Sequence, residues 1–149
     1  MKIKTVKKIY FILIAILLFF IGSRFYMEFL NYIIPNNGNA QIVSTRLSSQ
    51  FFEPIYFGLS LAIIPILIML SWKFVTNKIM SLIFIIGFSL FGFLIELRNL
   101  KLIISFQLND YKQAIAIEDI NFSTYLFFGS LIGLILSILI FKKSKPQSL

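Results

Sequence analysis

Four charged residues stand inside or at the end of long apolar runs, where their types and spacing allow ion pairing or ligand binding. Arg24 and Glu28 are four residues apart in the first run, and Glu96 and Arg98 close the third run. Side chains four residues apart share one face of a helix. A charged group in an apolar helix needs a partner or water, and such groups are candidate functional sites. These residues form our candidate charge cluster.

The cluster is complementary in sign and in position along the two runs. Counted from the lysine that precedes each run, Arg24 and Glu96 lie at roughly 24 and 27 Å for a helical rise of 1.5 Å per residue, and Glu28 and Arg98 both lie at roughly 30 Å. We expect Arg24 to face Glu96 and Glu28 to face Arg98. The first and third helices would then be neighbours joined by these two ion pairs. The alternative is that the four side chains line a polar pocket for a ligand or an ion.

Catalytic and metal-binding chemistry has little support. The chain has no cysteine and no histidine, which excludes thiolate nucleophiles, imidazole metal ligands and histidine acid–base catalysis. Asp110, Glu118 and Asp119 fall in a polar segment, where nothing is expected to desolvate them for proton transfer. No glycine-rich phosphate loop is present. We predict no catalytic, cofactor-binding or metal-binding residue, no cofactor and no enzyme activity.

The composition indicates what kind of element must position the charges. The chain of 149 residues is 58% hydrophobic and 13% charged, whereas soluble domains average about 25% charged residues. Its mean hydropathy is +0.90. We therefore predict an all-α polytopic membrane protein, with residues 1–149 forming a single membrane domain.

Four apolar runs are long enough to cross a bilayer. The predicted helices cover residues 9–30, 55–72, 79–105 and 124–141. No small-residue cleavage site follows the first run, so we expect it to be retained as a helix rather than removed as a signal peptide. Pro54 fits the first turn of the second helix, and Pro65 predicts a kink within it. Gly58 and Gly129 belong to small-residue stripes that favour close helix packing.

The first connecting segment, residues 31–53, admits two interpretations. The stretch Gln41–Thr45 fits a short strand. The spacing of Ile42, Thr45 and Ser49 fits a short helix equally well. The pattern does not decide between them.

The remaining connections differ in length. Residues 73–78 are too few for anything but a turn, so the second and third helices must form a hairpin. Residues 107–123 form a longer segment in which Leu108, Tyr111 and Ile115 could share one face of a helix lying in the membrane interface.

The distribution of charge predicts the topology. One side would hold nine bases and no acid: Lys2, Lys4, Lys7, Lys8, Lys73, Lys78, Lys142, Lys143 and Lys145. The other would hold five bases and six acids: Arg24, Arg46, Arg98, Lys101, Lys112, Glu28, Glu53, Glu96, Asp110, Glu118 and Asp119. The positive-inside rule then places both termini in the cytoplasm. The lysines are expected to meet anionic lipid headgroups rather than nucleic acid, because they sit at helix ends and not in a basic groove.

No motif in the sequence indicates a particular biochemical activity. We expect an antiparallel bundle of four transmembrane helices in a cell membrane, and the abundance of Ile, Phe, Lys and Asn favours a bacterial cytoplasmic membrane. The leading interpretation is a non-enzymatic accessory, protective or sensing protein with a membrane protein partner or a second copy of itself. The alternatives are a subunit of a small oligomeric transporter or channel and, third, a membrane-embedded enzyme.

Overall fold

The fold is built from four long helices. The structure, a computed structural model, describes residues 3–34, 41–43, 46–107 and 114–143. The helices are α1 (Ile3–Ile33), α2 (Leu47–Ser71), α3 (Lys78–Gln107) and α4 (Phe122–Phe141). Two short strands, β1 (Gln41–Val43) and β2 (Ala114–Ala116), precede α2 and α4, and a 3-10 turn, Ile117–Asp119, follows β2. All four helices are long and apolar enough to cross a membrane, as the sequence predicted.

The start of α2 differs from the prediction. We expected the helix to cover residues 55–72 with Pro54 at its start, but it begins at Leu47, so that Pro54 lies inside it. Arg46 stands before the first turn with an extended backbone, and its carbonyl accepts hydrogen bonds from both the N–H and the hydroxyl of Ser49, at 3.1 and 2.6 Å. A polar stretch whose composition is typical of a loop therefore forms the first turn of the helix.

The two strands pair with each other. They are parallel, and Ile42 lies opposite Ile115 in the register. The pairing shows that residues 41–43 form a strand and not the alternative short helix. The predicted interfacial helix is wrong for Ile115, which is buried in β2. The other positions of that prediction, Leu108 and Tyr111, lie outside the described residues.

The order of elements repeats. A long helix, a strand and a second helix occur as α1–β1–α2 and again as α3–β2–α4. Corresponding elements begin 73 to 75 residues apart, at residues 3 and 78, 41 and 114, and 47 and 122. We call these units the first and second hairpins. The parallel pairing of β1 with β2 joins one hairpin to the other.

Small residues hold each hairpin together. α1 packs mainly against α2, and α3 packs mainly against α4, while α2 contacts α4 where the hairpins meet. A methyl group added at Gly58 would collide with the Phe19 carbonyl, and one at Gly129 would collide with the Phe88 carbonyl. The predicted close packing at both glycines is confirmed, because only a hydrogen fits between these backbones.

The connection between α2 and α3 lies against the end of α4. Val75 forms a β-bridge with Lys142, and the N–H and hydroxyl of Thr76 donate to the Phe141 carbonyl at 2.8 and 3.2 Å. We call this region the turn end. Its apolar cluster consists of Leu67, Ile68, Ile85 and Leu134.

The opposite region, which we call the strand end, contains β1, β2 and the 3-10 turn. Its core takes residues from all four helices and from the segment before α4. The members are Tyr26, Leu30, Ile34, Phe57, Leu100, Ile115, Ile117, Ile120, Phe122 and Leu126. The chain that enters α4 is thus fixed by burial of its isoleucines, which determines where α4 begins.

Candidate functional site

The start of α4 takes its cap from another helix. Asn121 occupies the N-cap position, and no side-chain cap is formed there. The first N–H groups of a helix have no partner within it. The N–H of Asn121 instead donates to Oε1 of Glu96 on α3, at 2.7 Å. A carboxylate at this position also interacts favourably with the positive end of the helix dipole.

The second oxygen of Glu96 belongs to a network between α3 and α4. Nδ2 of Asn99 donates to Oε2 of Glu96 at 3.4 Å and to the Tyr125 hydroxyl at 3.2 Å. Glu96 is only 4% exposed, and a buried carboxylate is tolerated when donors satisfy it. The geometry therefore holds a single carboxylate in a fixed position.

A cavity of about 570 Å³ opens beside this network, and we call it the Glu96 cavity. It is lined by Glu96, Asn99, Leu102, Ile103, Asp119, Asn121 and Tyr125. Of the described residues in this lining, both charged ones are acids, and the remaining polar ones offer amide and phenol oxygens. The volume lies in the range that receives a small molecule. A lining of this kind suits a cation that donates hydrogen bonds.

The donor set favours an organic cation over a metal ion. Within the described ranges, no group of three His, Cys, Asp or Glu side chains lies close enough to hold a metal. Calcium takes six to eight oxygen ligands and prefers several carboxylates. Two carboxylates with amide and phenol oxygens instead match an ammonium group, which needs only three acceptors.

An aromatic cluster adjoins the network. Phe29 of α1, Phe93 of α3 and Phe122 of α4 contact one another, with ring centroids 5.0 to 5.7 Å apart. The buried Tyr26 lies within electrostatic range of Glu96. These apolar rings lower the local dielectric constant around the carboxylate, which strengthens its interaction with any charge in the cavity.

The predicted charge cluster is divided in the structure. Glu96 is buried, whereas Arg24, Glu28 and Arg98 are exposed. Across the part of the chain that the structure describes, no ion pair joins Arg24 to Glu96 or Glu28 to Arg98; the Glu96 carboxylate is bound by Asn121 and Asn99 instead. The reason is the packing, since α1 lies mainly against α2 and meets α3 at few positions, such as Phe29 against Phe93. A shared ligand or ion site for the four residues stays a prediction.

Three residues of the cavity were missed from the sequence: Asn99, Asn121 and Tyr125. A signal existed for two of them. Asn121 precedes an apolar run, which is typical of a helix N-cap, and Asn99 follows Glu96 by three residues, hence on one helix face. Nothing in the pattern links Tyr125 to α3, because that contact depends on how two helices pack.

Comparison of the chain with protein-family models, with curated proteins and with solved structures finds no match. A fold shared with other proteins would in any case indicate architecture rather than activity. The functional argument therefore rests on the residues of the site.

Proposed function

We propose that this chain is a non-enzymatic multi-pass membrane protein of accessory, protective or sensing type, and that its Glu96 cavity binds a small organic cation. One observation carries the proposal: a buried carboxylate, oriented by a backbone N–H and an amide, lines a cavity in which both charged residues that the structure describes are acids. An ammonium group would form charge-assisted hydrogen bonds there, which are about twice as strong as neutral ones.

Recognition fits this cavity better than catalysis does. Among the described residues, the lining offers Glu96 and Asp119 as acids but no Ser, Thr, Cys or Lys that could act as a nucleophile. Both oxygens of Glu96 already accept hydrogen bonds. A group held in this way serves to position a ligand, whereas a general base must exchange a proton with its substrate.

We also propose an antiparallel bundle with both termini in the cytoplasm. Support comes from the turn end, where Val75 bridges Lys142 and Phe11 contacts Trp72, so the start of α1 lies near the turn and the end of α4. Described lysines along these segments are Lys7, Lys8, Lys73, Lys78, Lys142 and Lys143. The positive-inside rule favours the cytoplasm for them. The Glu96 cavity would then open on the outer side of a bacterial cytoplasmic membrane.

Substitution of Glu96 separates binding from folding. Glu96→Gln keeps an oxygen for the Asn121 N–H but removes the charge, so we expect a folded protein whose affinity for a cation falls roughly tenfold or more. Glu96→Ala leaves the N–H unpaired and should lower the free energy of unfolding by about 1–3 kcal/mol. The probes are propylammonium, choline and spermidine, titrated into protein in detergent by calorimetry, with acetate as the anionic comparison.

Glu28→Gln is the matched control, because Glu28 is an exposed carboxylate on α1. We expect it to bind the cation as the unchanged protein does. Equal weakening by Glu28→Gln and Glu96→Gln would show an unspecific charge effect and contradict the proposal, as would a failure of every probe to bind.

The transporter or channel alternative makes a different prediction. Four helices rarely enclose a pathway alone, so a conducting protein should be an oligomer. Light scattering in detergent and flux of the bound cation into vesicles distinguish the two. A monomer or a dimer without flux supports an accessory or sensing role, and a larger oligomer with flux supports transport.

A further inference from the structure

The hydrogen bonds between Asn99, Glu96 and Tyr125 fix the direction in which each group donates. Nδ2 of Asn99 lies 3.4 Å from Oε2 of Glu96 and 3.2 Å from the Tyr125 hydroxyl. A carboxylate can only accept, so the Asn99 atom that faces it must be the amide nitrogen and not the amide oxygen. An amide nitrogen carries two protons. Both are therefore engaged, one by the carboxylate and one by the phenol.

The Tyr125 hydroxyl keeps a proton that it can donate. Its oxygen accepts from Asn99, and a phenol has one O–H proton besides its acceptor sites. Within the described part of the chain, no hydrogen bond has the Tyr125 hydroxyl as its donor. Tyr125 lines the Glu96 cavity. Its proton is therefore available to a ligand there.

Acceptors for a cation lie beside this donor. With both amide protons of Asn99 engaged, its Oδ1 remains an acceptor in the cavity lining. Each oxygen of Glu96 accepts one hydrogen bond from the protein, and a carboxylate has about four lone-pair sites. Glu96 can thus accept from a ligand as well. Because one nitrogen of Asn99 contacts both the carboxylate and the phenol, a short ligand can reach both.

The ligand atom that accepts from Tyr125 must be neutral. Glu96 and Asp119, the two charged residues that the structure describes in the lining, are both acids, so an anionic group on the ligand would meet like charges at short range. A hydroxyl oxygen accepts without carrying a charge. Leu102 and Ile103 offer apolar contact to the carbon atoms of a ligand. An amino acid is therefore disfavoured, whereas an amino alcohol meets each requirement.

We propose that the ligand of the Glu96 cavity is a short amino alcohol, whose primary ammonium donates to Glu96 and Asn99 and whose hydroxyl oxygen accepts from Tyr125. This assignment rests on the cation site proposed above and names the class of its ligand. Tyr125 determines the specificity, since the carboxylate attracts any cation and the phenol recognises the oxygen. A phosphoethanolamine headgroup carries the same ammonium, but its phosphate would meet Asp119. We therefore assign the free amino alcohol.

Isosteric probes test the hydroxyl. Ethanolammonium and propylammonium have similar size and equal charge, and differ by a hydroxyl in place of a methyl group. We expect ethanolammonium to bind roughly fivefold more tightly, which is the effect of one neutral hydrogen bond. Choline has the hydroxyl but no N–H, and should bind roughly tenfold more weakly than ethanolammonium. Calorimetry in detergent, with chloride salts at one pH and one ionic strength, gives the dissociation constants.

Tyr125→Phe removes the hydroxyl and keeps the ring. We expect this variant to bind propylammonium as the unchanged protein does, and to lose the preference for ethanolammonium. Tyr32→Phe is the matched control, because Tyr32 is 88% exposed on α1 and is not part of the cavity lining. Its preference should be unchanged. A preference that survives in Tyr125→Phe, or is lost in Tyr32→Phe, would overturn the assignment.

A second pair of probes decides the role of Tyr125 if Tyr125→Phe does not fold. The oxygen of 2-methoxyethylammonium can accept but not donate, and butylammonium is its isosteric comparison. Because Tyr125 is the donor, we expect the ether to bind more tightly than butylammonium. Equal binding of the two would overturn the hydrogen bond from Tyr125.

The outcomes separate this assignment from the proposed function. Propylammonium or choline bound as tightly as ethanolammonium would overturn the amino alcohol and leave the cation site in place. Failure of every amine to bind would overturn both. Tighter binding of O-phosphoethanolamine than of ethanolammonium would overturn the free amino alcohol and indicate a lipid headgroup instead.

Discussion

At the scale of single residues, the carboxylate of Glu96 is held by a backbone group at the start of α4. The carboxylate accepts a hydrogen bond from the N–H of Asn121. A basic side chain at position 96 could not form this bond, because Lys and Arg have no acceptor. The exposed Arg24 takes no part in it. Among the described residues no ion pair joins the two, although their depth and sign match along the sequence.

Charge-reversal variants distinguish the hydrogen bond between Glu96 and the Asn121 N–H from an ion pair between Glu96 and Arg24. We expect Glu96→Arg to lower the free energy of unfolding by about 2–3 kcal/mol, because a hydrogen bond to a charged group is lost. Arg24→Glu alone should have little effect, and it should not rescue Glu96→Arg. Unfolding curves in detergent with increasing denaturant give the three values. Recovery of stability in the double variant would instead support the pairing of Arg24 with Glu96.

At the scale of elements, the contact between α3 and α4 depends on glycine. Gly92 lies against the Tyr125 carbonyl and Gly129 against the Phe88 carbonyl, with no room for a side chain at either position. Gly87 on the same α3 has open space around its Cβ direction. The two kinds of glycine allow the packing effect to be separated from helix propensity.

Alanine substitution should therefore affect these glycines differently. Gly129→Ala forces two backbones apart, and we expect it to lower the free energy of unfolding by about 1–3 kcal/mol. Gly87→Ala adds a methyl group in open space and should be neutral or stabilising by up to about 1 kcal/mol, since alanine favours helix. Denaturant unfolding of the purified variants checks both. A loss of stability in Gly87→Ala equal to that in Gly129→Ala would contradict a packing origin.

Elements defined by local pattern were predictable, and those defined by distant contacts were not. Hydropathy alone located the four helices, because each run is long enough to cross a bilayer. The start of α2 was missed because Ser49 bonds to the Arg46 carbonyl and so extends the helix into polar sequence. The pairing of β1 with β2 was missed because three-residue strands leave almost no local signal. Glu96 was identified as a candidate and assigned a partner on α1, whereas its hydrogen-bond donors are Asn99 on α3 and Asn121 at the start of α4.

At the scale of the whole molecule, the proposed antiparallel bundle would place the turn end and the strand end on opposite sides of the membrane. Because the chain has no cysteine, single cysteines can report which side is which. Gln50 and Thr76 are exposed, one in the first turn of α2 near the strand end and the other at the turn end. These positions form a matched pair for labelling.

We expect Gln50→Cys to react with a membrane-impermeant maleimide in intact cells, and Thr76→Cys to react only after the membrane is opened. The reason is the excess of lysine at the turn end, which the positive-inside rule assigns to the cytoplasm. A mass shift on a gel measures the labelling. The reverse pattern would place the Glu96 cavity in the cytoplasm and refute the proposed orientation.

The parallel pairing of β1 with β2 also sets an order of events during synthesis. Ile42 is synthesised before Ile115, its partner in the register. The first hairpin therefore enters the bilayer before β1 can pair with β2. Contacts between residues so far apart in sequence form late, because the intervening chain must first be ordered. The strands can meet only if both hairpins have been inserted in the same direction. Their pairing therefore distinguishes a correctly inserted chain from one whose second hairpin is inverted.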